Sequence, residues 1–307
     1  MKLEYCHSET YNFGDDLNPW LWPKLLGNCI DESSETYFLG IGTILTQKRV
    51  NERLKDAKKL IIFSSGAWDE ELPVLDERCQ VLGVRGPRTA KKLGLAADKA
   101  VGDGAYLLRK VELPQPDFQP TGVGFIPHHR SEDYIDWQAV CDQVGLKFIS
   151  AKQPVDDFLI ALQGCEKVVT EAMHGAIVAD ALRIPWVGAK FSPAFNEEKW
   201  YDFSEHMGIS LQLETLPFMS QFKMKIGKAC ENTLKSALAK IFPTPNKWRR
   251  LPAIFKVASD DDLATLSKKL KAIADSCPGQ LSTDERVEEV TTEQYRIVQQ
   301  IVADNAE

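Results

Sequence analysis

The sequence is short of most features that would place it outside the ordinary α/β enzymes. Nowhere in its 307 residues is there a run near the roughly 18 apolar positions that a bilayer-spanning helix needs. The first ten residues, MKLEYCHSET, lack the apolar stretch of a secretion signal. The seven cysteines (6, 29, 79, 141, 165, 230 and 277) include no CxxC pair. They read as reduced thiols of a cytoplasmic protein, not as a disulfide framework or a zinc site. No repeat of solenoid length is visible. Positive charge is in deficit, and the net charge of −7 argues against a general nucleic-acid binder, whose phosphate contacts need a basic face. A local basic pocket for a small anion stays open. Histidine is scarce, with five in all, so each one's place carries information.

What the chain does contain is persistent alternation of short apolar runs with helical segments. KLEYCHS is followed by NFGDDLNPWLWPKLLG; YFLGIGTIL and KKLIIFSSGAW are further strand candidates. CQVLGVRG runs into PRTAKKLG, where Pro87 suits a first helical turn. AVGDGAYLL closes this half, and the proline-rich ELPQPDFQP (112–120) reads as a linker. Alternation then resumes with TGVGFIPHHR, a helix near 131–144, LKFISA, a helix near 155–164, EKVVT, a further helix stopping before Pro185, and PWVGAKF. Near-continuous apolar strands between helices indicate parallel sheets covered on both faces. The expected fold is α/β, with two Rossmann-like parallel-sheet domains (1–115 and 116–215) facing a cleft. A C-terminal helical segment (216–307) is expected to pack on both, with helices near 221–242 and 259–276. The acidic final thirty residues are expected to fray.

In such a fold, ligands bind at the carboxyl ends of the strands. The unusual polar groups fall at those corners. Asn12, Gly14 and Asp15 follow the first strand; Gly40, Gly42 and Thr43 end the second; Ser64, Ser65 and Gly66 end the third; Arg85 and Arg88 follow the fourth. In the second half His128, His129 and Arg130 end one strand, and Glu171 and His174 end another. GIGT falls short of a dinucleotide fingerprint. Arg85 suits either a structural salt bridge or an anion contact, and NFGDD either a capped turn or a ligand loop. PHHR, two imidazoles and a guanidinium beyond an apolar strand, is a poor choice for a core. The two adjacent histidines have no obvious further ligands for a metal.

In TEAMHGA, Thr170 is the expected N-cap, with helix N–H groups directed at an anion. Glu171 and His174 are spaced to share a helix face. A helix N-terminus disfavours imidazolium while a carboxylate or bound anion favours it, so His174 can give or take a proton near neutrality. A satisfied core histidine is the competing reading.

In order along the chain, NFGDDL, GIGTIL, GVRGPRT, VGDGAYLL and EAMHGAIVADALRIPWVG resemble the polysaccharide pyruvyl transferase family, over roughly residues 10–195. The form that includes PHHR is similar to the branch acting on bacterial exopolysaccharides such as succinoglycan. The resemblance implies a GT-B-like fold and transfer of the pyruvyl group of phosphoenolpyruvate onto two hydroxyls of a sugar as a ketal, usually on a lipid-linked oligosaccharide. It implies phosphoenolpyruvate as co-substrate with no further cofactor, and a cytoplasmic protein that works at the inner membrane. The family's Arg-Leu-His motif falls on Ala172, Met173 and His174: the histidine carries over and the arginine does not. Arg130 or Arg85 is expected to supply that charge. With His174, the other catalytic candidates are Glu171 and His128. Donor contacts are expected from Arg85, Arg130, His129, Thr170 and Gly175, and acceptor contacts from Asn12, Gly14, Asp15, Gly42 and Thr43; no metal is expected. A GT-B glycosyltransferase using a nucleotide sugar, or a non-catalytic assembly subunit, are the rival functions. NKWRRLPAIFK (246–256) offers a basic and aromatic patch for a membrane surface, or an ordinary solvated segment.

Overall fold

The computed structural model describes residues 1–7, 10–67, 71–242, 246–254 and 256–305, with the main chain alone at 246 and 247. Strands β1 (Lys2–Glu4), β2 (Thr36–Leu39), β3 (Lys59–Ile62) and β4 (Cys79–Val81) form one sheet in that order, every pair parallel. Strands β5 (Val123–Ile126), β6 (Lys147–Phe148), β7 (Lys167–Thr170), β8 (Trp186–Lys190) and β9 (Leu213–Thr215) form a second all-parallel sheet, in the order β6-β5-β7-β8-β9. The expected architecture of two parallel α/β units is therefore present. Their strands are apolar because helices cover both faces.

The helices are α1 (Phe13–Leu26), α2 (Pro87–Lys92), α3 (Trp137–Asp142), α4 (Val155–Gln163), α5 (Met173–Ala181), α6 (Glu197–His206), α7 (Ile226–Ile241), α8 (Asp260–Ser276) and α9 (Asp284–Asp304). Helix α1 carries two prolines. Pro19 has no N–H for the carbonyl of Asp15, and the Asn18 side-chain amide supplies that hydrogen bond at 3.0 Å. The same Asn18 carboxamide accepts from the Ile41 N–H and from Trp22 Nε1, both at 2.9 Å, and so ties α1 to the GIGT loop.

Helix α1 also bridges the two units. Its first residue, Phe13, donates its N–H to the Ala151 carbonyl at 3.0 Å and stacks on Phe158 of α4. One apolar cluster runs without a break from Leu17, Trp22 and Phe38 of the first unit to Ile126, Ile177 and Trp186 of the second. The core thus fixes the units against each other.

The C-terminal segment divides its packing. Helix α8 lies on α3 and β7 of the second unit, with Leu266, Leu270 and Ile273 buried. Helix α9 lies on the first unit, against α1 and the 3-10 run Gly104–Lys110. The expectation that the final thirty residues fray is wrong. Val287, Val290, Val298 and Ile301 recur at helical spacing and are buried, so the acidic residues form the outer face of a packed helix. Among the described residues no helix is long and apolar enough to cross a membrane.

Candidate active site

A cleft of about 300 Å³ opens between the carboxyl ends of the two sheets. Three helices begin at its wall: α1 with Phe13, Gly14 and Asp15; α5 with Met173 and His174; and α6, whose N-cap Asn196 and first-turn Lys199 both line it. The helix dipoles add positive potential at all three starts, which favours an anion there, although the N–H groups of Phe13, Asp15 and Glu198 are already taken by Ala151, Asn12 and Asn196.

His174 is held from two sides. Its Nε2 lies 3.7 Å from Asp103 Oδ2, an ionic contact longer than a hydrogen bond. The Asp103 side chain is fully buried, and its other oxygen accepts the Ala105 N–H at 3.0 Å. Burial alone would raise the Asp103 carboxyl, but His174, Arg85 and the Ala105 N–H outweigh it, and the group sits below its ordinary value. Asp103 therefore stays ionised. On the other side, a β-carbon at residue 14 would fall 2.1 Å from His174 Nδ1, so only glycine fits under the imidazole. With Nε2 directed at Asp103, Nδ1 is the nitrogen that lies against Gly14. The competing reading of His174 as a satisfied core histidine fails, because the residue lines the cleft.

Two expectations about TEAMHGA need correction. The N-cap of α5 is Ala172, and the Thr170 hydroxyl donates to the Ala172 carbonyl at 2.9 Å instead of accepting a helix N–H. Glu171 precedes the helix and shares no face with His174. Its two oxygens accept the Ser192 N–H at 2.8 Å and the His128 N–H at 3.0 Å, which locks the ends of β5 and β8 together. Burial raises its carboxyl, offset in part by the Ser192 N–H, the Ser131 hydroxyl and the His128 N–H.

PHHR lies on the cleft wall. The Arg130 N–H donates to His128 Nδ1 at 3.3 Å, which assigns the neutral His128 proton to Nε2. Burial, then the charges of His129, Lys199 and Arg130, hold His128 well below its ordinary value. Burial and Arg130 likewise bring His129 down to about 4. Both imidazoles are therefore neutral near pH 7. Arg130 is exposed at the cleft.

Of the other candidates, Asn12, Gly14, Asp15, Gly42 and Thr43 all line the cleft opposite His128 and His129. Asn12 donates to Asp15 Oδ2 at 2.5 Å. Burial raises the Asp15 carboxyl, against the pull of His174, Asn12 and Lys199. Gly42 has φ +121, a conformation open only to glycine. Three donor candidates stand back from the cleft. Thr170 is buried, Gly175 packs under its hydroxyl, and Arg85 is 1% exposed. Arg85 donates from Nε to Asp202 at 3.0 Å and from Nη1 to Thr43 at 2.9 Å, with Gly66 against its guanidinium. Ser65 bonds the Leu39 carbonyl, Ser64 is buried nearby with φ +66, and Arg88 pairs with Glu198 and Glu205. Arg85 and Arg88 thus join the two units from behind the site.

Lys199 is the functional group that the sequence reading passed over. Burial, with Arg85, Arg130 and Arg250 nearby, brings its ammonium down to about 8, against the opposing pull of Asp15. It sits at the corner after β8, so the strand-end rule that found His128 would have reached it. Among the described residues no group of three His, Cys, Asp or Glu side chains converges as metal ligands.

The polysaccharide pyruvyl transferase family model matches residues 40–189, a span containing Asp103, PHHR and His174 but neither Gly14 nor Lys199. The chain is 33% identical over 232 residues to the succinoglycan biosynthesis protein ExoV of Rhizobium meliloti (strain 1021), covering 74% of this chain and 71% of that one. No solved structure matches. With that degree of likeness over most of both proteins, the chain belongs to the polysaccharide pyruvyl transferase family.

Proposed function

We propose that the protein is a phosphoenolpyruvate-dependent ketal transferase of exopolysaccharide synthesis, with a lipid-linked oligosaccharide as acceptor. The observation that carries this reading is His174, fixed between Asp103 and Gly14 at the wall of a cleft that also presents Arg130 and Lys199. A carboxylate and a phosphate on one small donor suit that set of cations and helix N-termini. His128 Nε2–H and His129 are neutral hydrogen-bonding partners beside it.

The reaction needs a proton at the donor's methylene carbon, which makes C2 electrophilic. One sugar hydroxyl adds to C2 and loses its proton; phosphate then leaves with its bridging oxygen. The second hydroxyl adds and loses its proton, closing the ketal. Of the two hydroxyl protons released, one balances the methyl group and the other the departing hydrogen phosphate. His174 exchanges the proton with the donor, and ionised Asp103 orients its ring from the Nε2 side. Asp15, with its raised carboxyl, is the second proton-transfer group. Glu171 acts through its two main-chain contacts, positioning His128.

The test is calorimetric titration with phosphoenolpyruvate and, separately, with UDP-sugars, joined to a phosphate-release assay on lipid-linked oligosaccharide. Binding of phosphoenolpyruvate and acceptor-dependent phosphate release are expected. Binding of a UDP-sugar with release of UDP would instead identify a glycosyltransferase.

A further inference from the structure

The charge of the chain is unevenly spread. Residues 222–257 carry nine of its 37 Lys and Arg but one of its 44 Asp and Glu, Glu231, in a protein of net charge −7. Helix α7 runs through the middle of this segment. One face of it, with Ala229, Asn232 and Ala239, is buried against the 3-10 turn Asn246–Arg250 and the residues after it. There Asn232 donates to the Pro252 carbonyl at 2.7 Å, and Arg249 Nε to the Ala239 carbonyl at 2.9 Å.

A second face of α7 is apolar and uncovered. Ile226, Cys230, Leu234, Ala237 and Ile241 follow one another at three- and four-residue spacing, so they share one stripe. Ile226, Leu234 and Ile241 are 65%, 61% and 74% exposed, and Phe222 and Phe242 extend the stripe at both ends. On helical geometry Lys240 flanks the stripe on one side and Glu231 on the other, Lys228 lies beside the packed face and pairs with Glu231, and Lys223 and Lys225 are exposed just before the helix. An exposed apolar stripe with lysines along one border and ahead of its first turn is the pattern of a helix that lies in a bilayer interface. The exposed aliphatic side chains call for an apolar medium, and nine basic residues against one acid in this segment call for an anionic one. An anionic bilayer answers both.

From this juxtaposition we propose that α7 and the turn behind it form a peripheral docking surface for an anionic membrane. The aliphatic stripe enters the headgroup boundary, and the lysines and arginines meet acidic lipid headgroups. Arg250, on the turn that packs against α7, is one of the charges that act on Lys199. The inference stands independently of what the donor is.

The test is co-sedimentation of the full chain with phosphatidylcholine vesicles, with and without phosphatidylglycerol, at low and at high salt. Binding to the anionic vesicles alone, weakened by salt, is expected. The double variants Leu234→Glu/Ile241→Glu and Lys223→Glu/Lys240→Glu should each lower the partition coefficient about tenfold or more. Circular dichroism and Tm establish that the variants fold, and the charge variant leaves the apolar face intact. Absence of the wild-type protein from the anionic pellet would overturn the proposal, as would pelleting indifferent to both variants. A dimer in sedimentation velocity that Leu234→Glu/Ile241→Glu dissociates, without vesicle binding, would reassign the stripe to a second copy.

Discussion

Gly14 has no side chain where the His174 imidazole needs the room: a β-carbon there would meet Nδ1 at 2.1 Å. The two residues come from different units, and the Phe13–Ala151 hydrogen bond holds them in register. Gly14→Ala should displace the imidazole from Asp103. A shift of about 1 Å is enough to lower kcat roughly 10²-fold. Tm should fall little, since α1 tolerates alanine. A kcat within threefold of wild type would show that His174 is not held by this contact.

His174→Ala should reduce kcat by about 10²–10⁴ with the fold retained. Asp103→Asn, which replaces the ionised partner of Nε2, should fall in the same range. Because the two side chains act as a unit, the double variant should be hardly worse than His174→Ala alone. Additive losses in kcat would separate them.

The two arginines should part company. Arg130→Ala removes an exposed cation of the cleft and should raise the KM for phosphoenolpyruvate about ten- to a hundredfold. Arg85→Ala leaves Asp202 charged and buried, a loss of about 3–5 kcal/mol in stability. Thermal unfolding and KM measured on both variants decide the matter. An unchanged Tm with a raised KM for Arg85→Ala would return that residue to the donor site.

Lys199 predicts an alkaline limb. Its ammonium, brought down to about 8, binds an anion while protonated, so donor affinity is present below that pH and lost above it. The KM for phosphoenolpyruvate should rise through pH 8–9, and Lys199→Arg, charged throughout, should flatten the profile. For stability the sign is opposite. The unfolded chain binds the extra proton between about 8 and the ordinary lysine value, so this group makes the fold more stable as pH rises through that window. A profile identical in the variant would remove Lys199 from donor binding.

Acid should destabilise the fold through its neutral histidines. His129 and His206 are both brought down to about 4, by burial first and then by Arg130 and Arg286 respectively. Between about 4 and 6.5 the unfolded chain binds more protons at these positions, so stability falls as pH falls across that window. Urea midpoints measured from pH 7 to 4 should show the decline, and His206→Asn should make it shallower. A slope unaltered in that variant would place the acid sensitivity elsewhere.

Much of this was legible in the residues. Alternation of apolar runs and helices gave both parallel sheets, and the strand-end rule collected His174, PHHR, Asn12, Gly14 and Asp15 before any contact was known. The pairing of His174 with Asp103 was not legible: 71 positions separate them, and no local period links the two. Arg85 looked equally suited to an anion or a salt bridge because its partner, Asp202, is contributed by the other unit. Glu171 was misread because three-residue spacing was taken for a shared helix face, whereas α5 begins after it. Helix α9 was missed because its many acids masked four valines and isoleucines at helical spacing.

Gln294, on α9, donates its amide to the carbonyls of Val101 and Asp103 at 2.9 and 3.0 Å. The loop that carries the partner of His174 is thus closed by a residue synthesised almost two hundred positions later. On the ribosome, both sheets can assemble while Asp103 is still without its brace. The arrangement of His174 against Asp103 must wait until α9 has been made, and a chain cut before Gln294 would leave Asp103 without that brace.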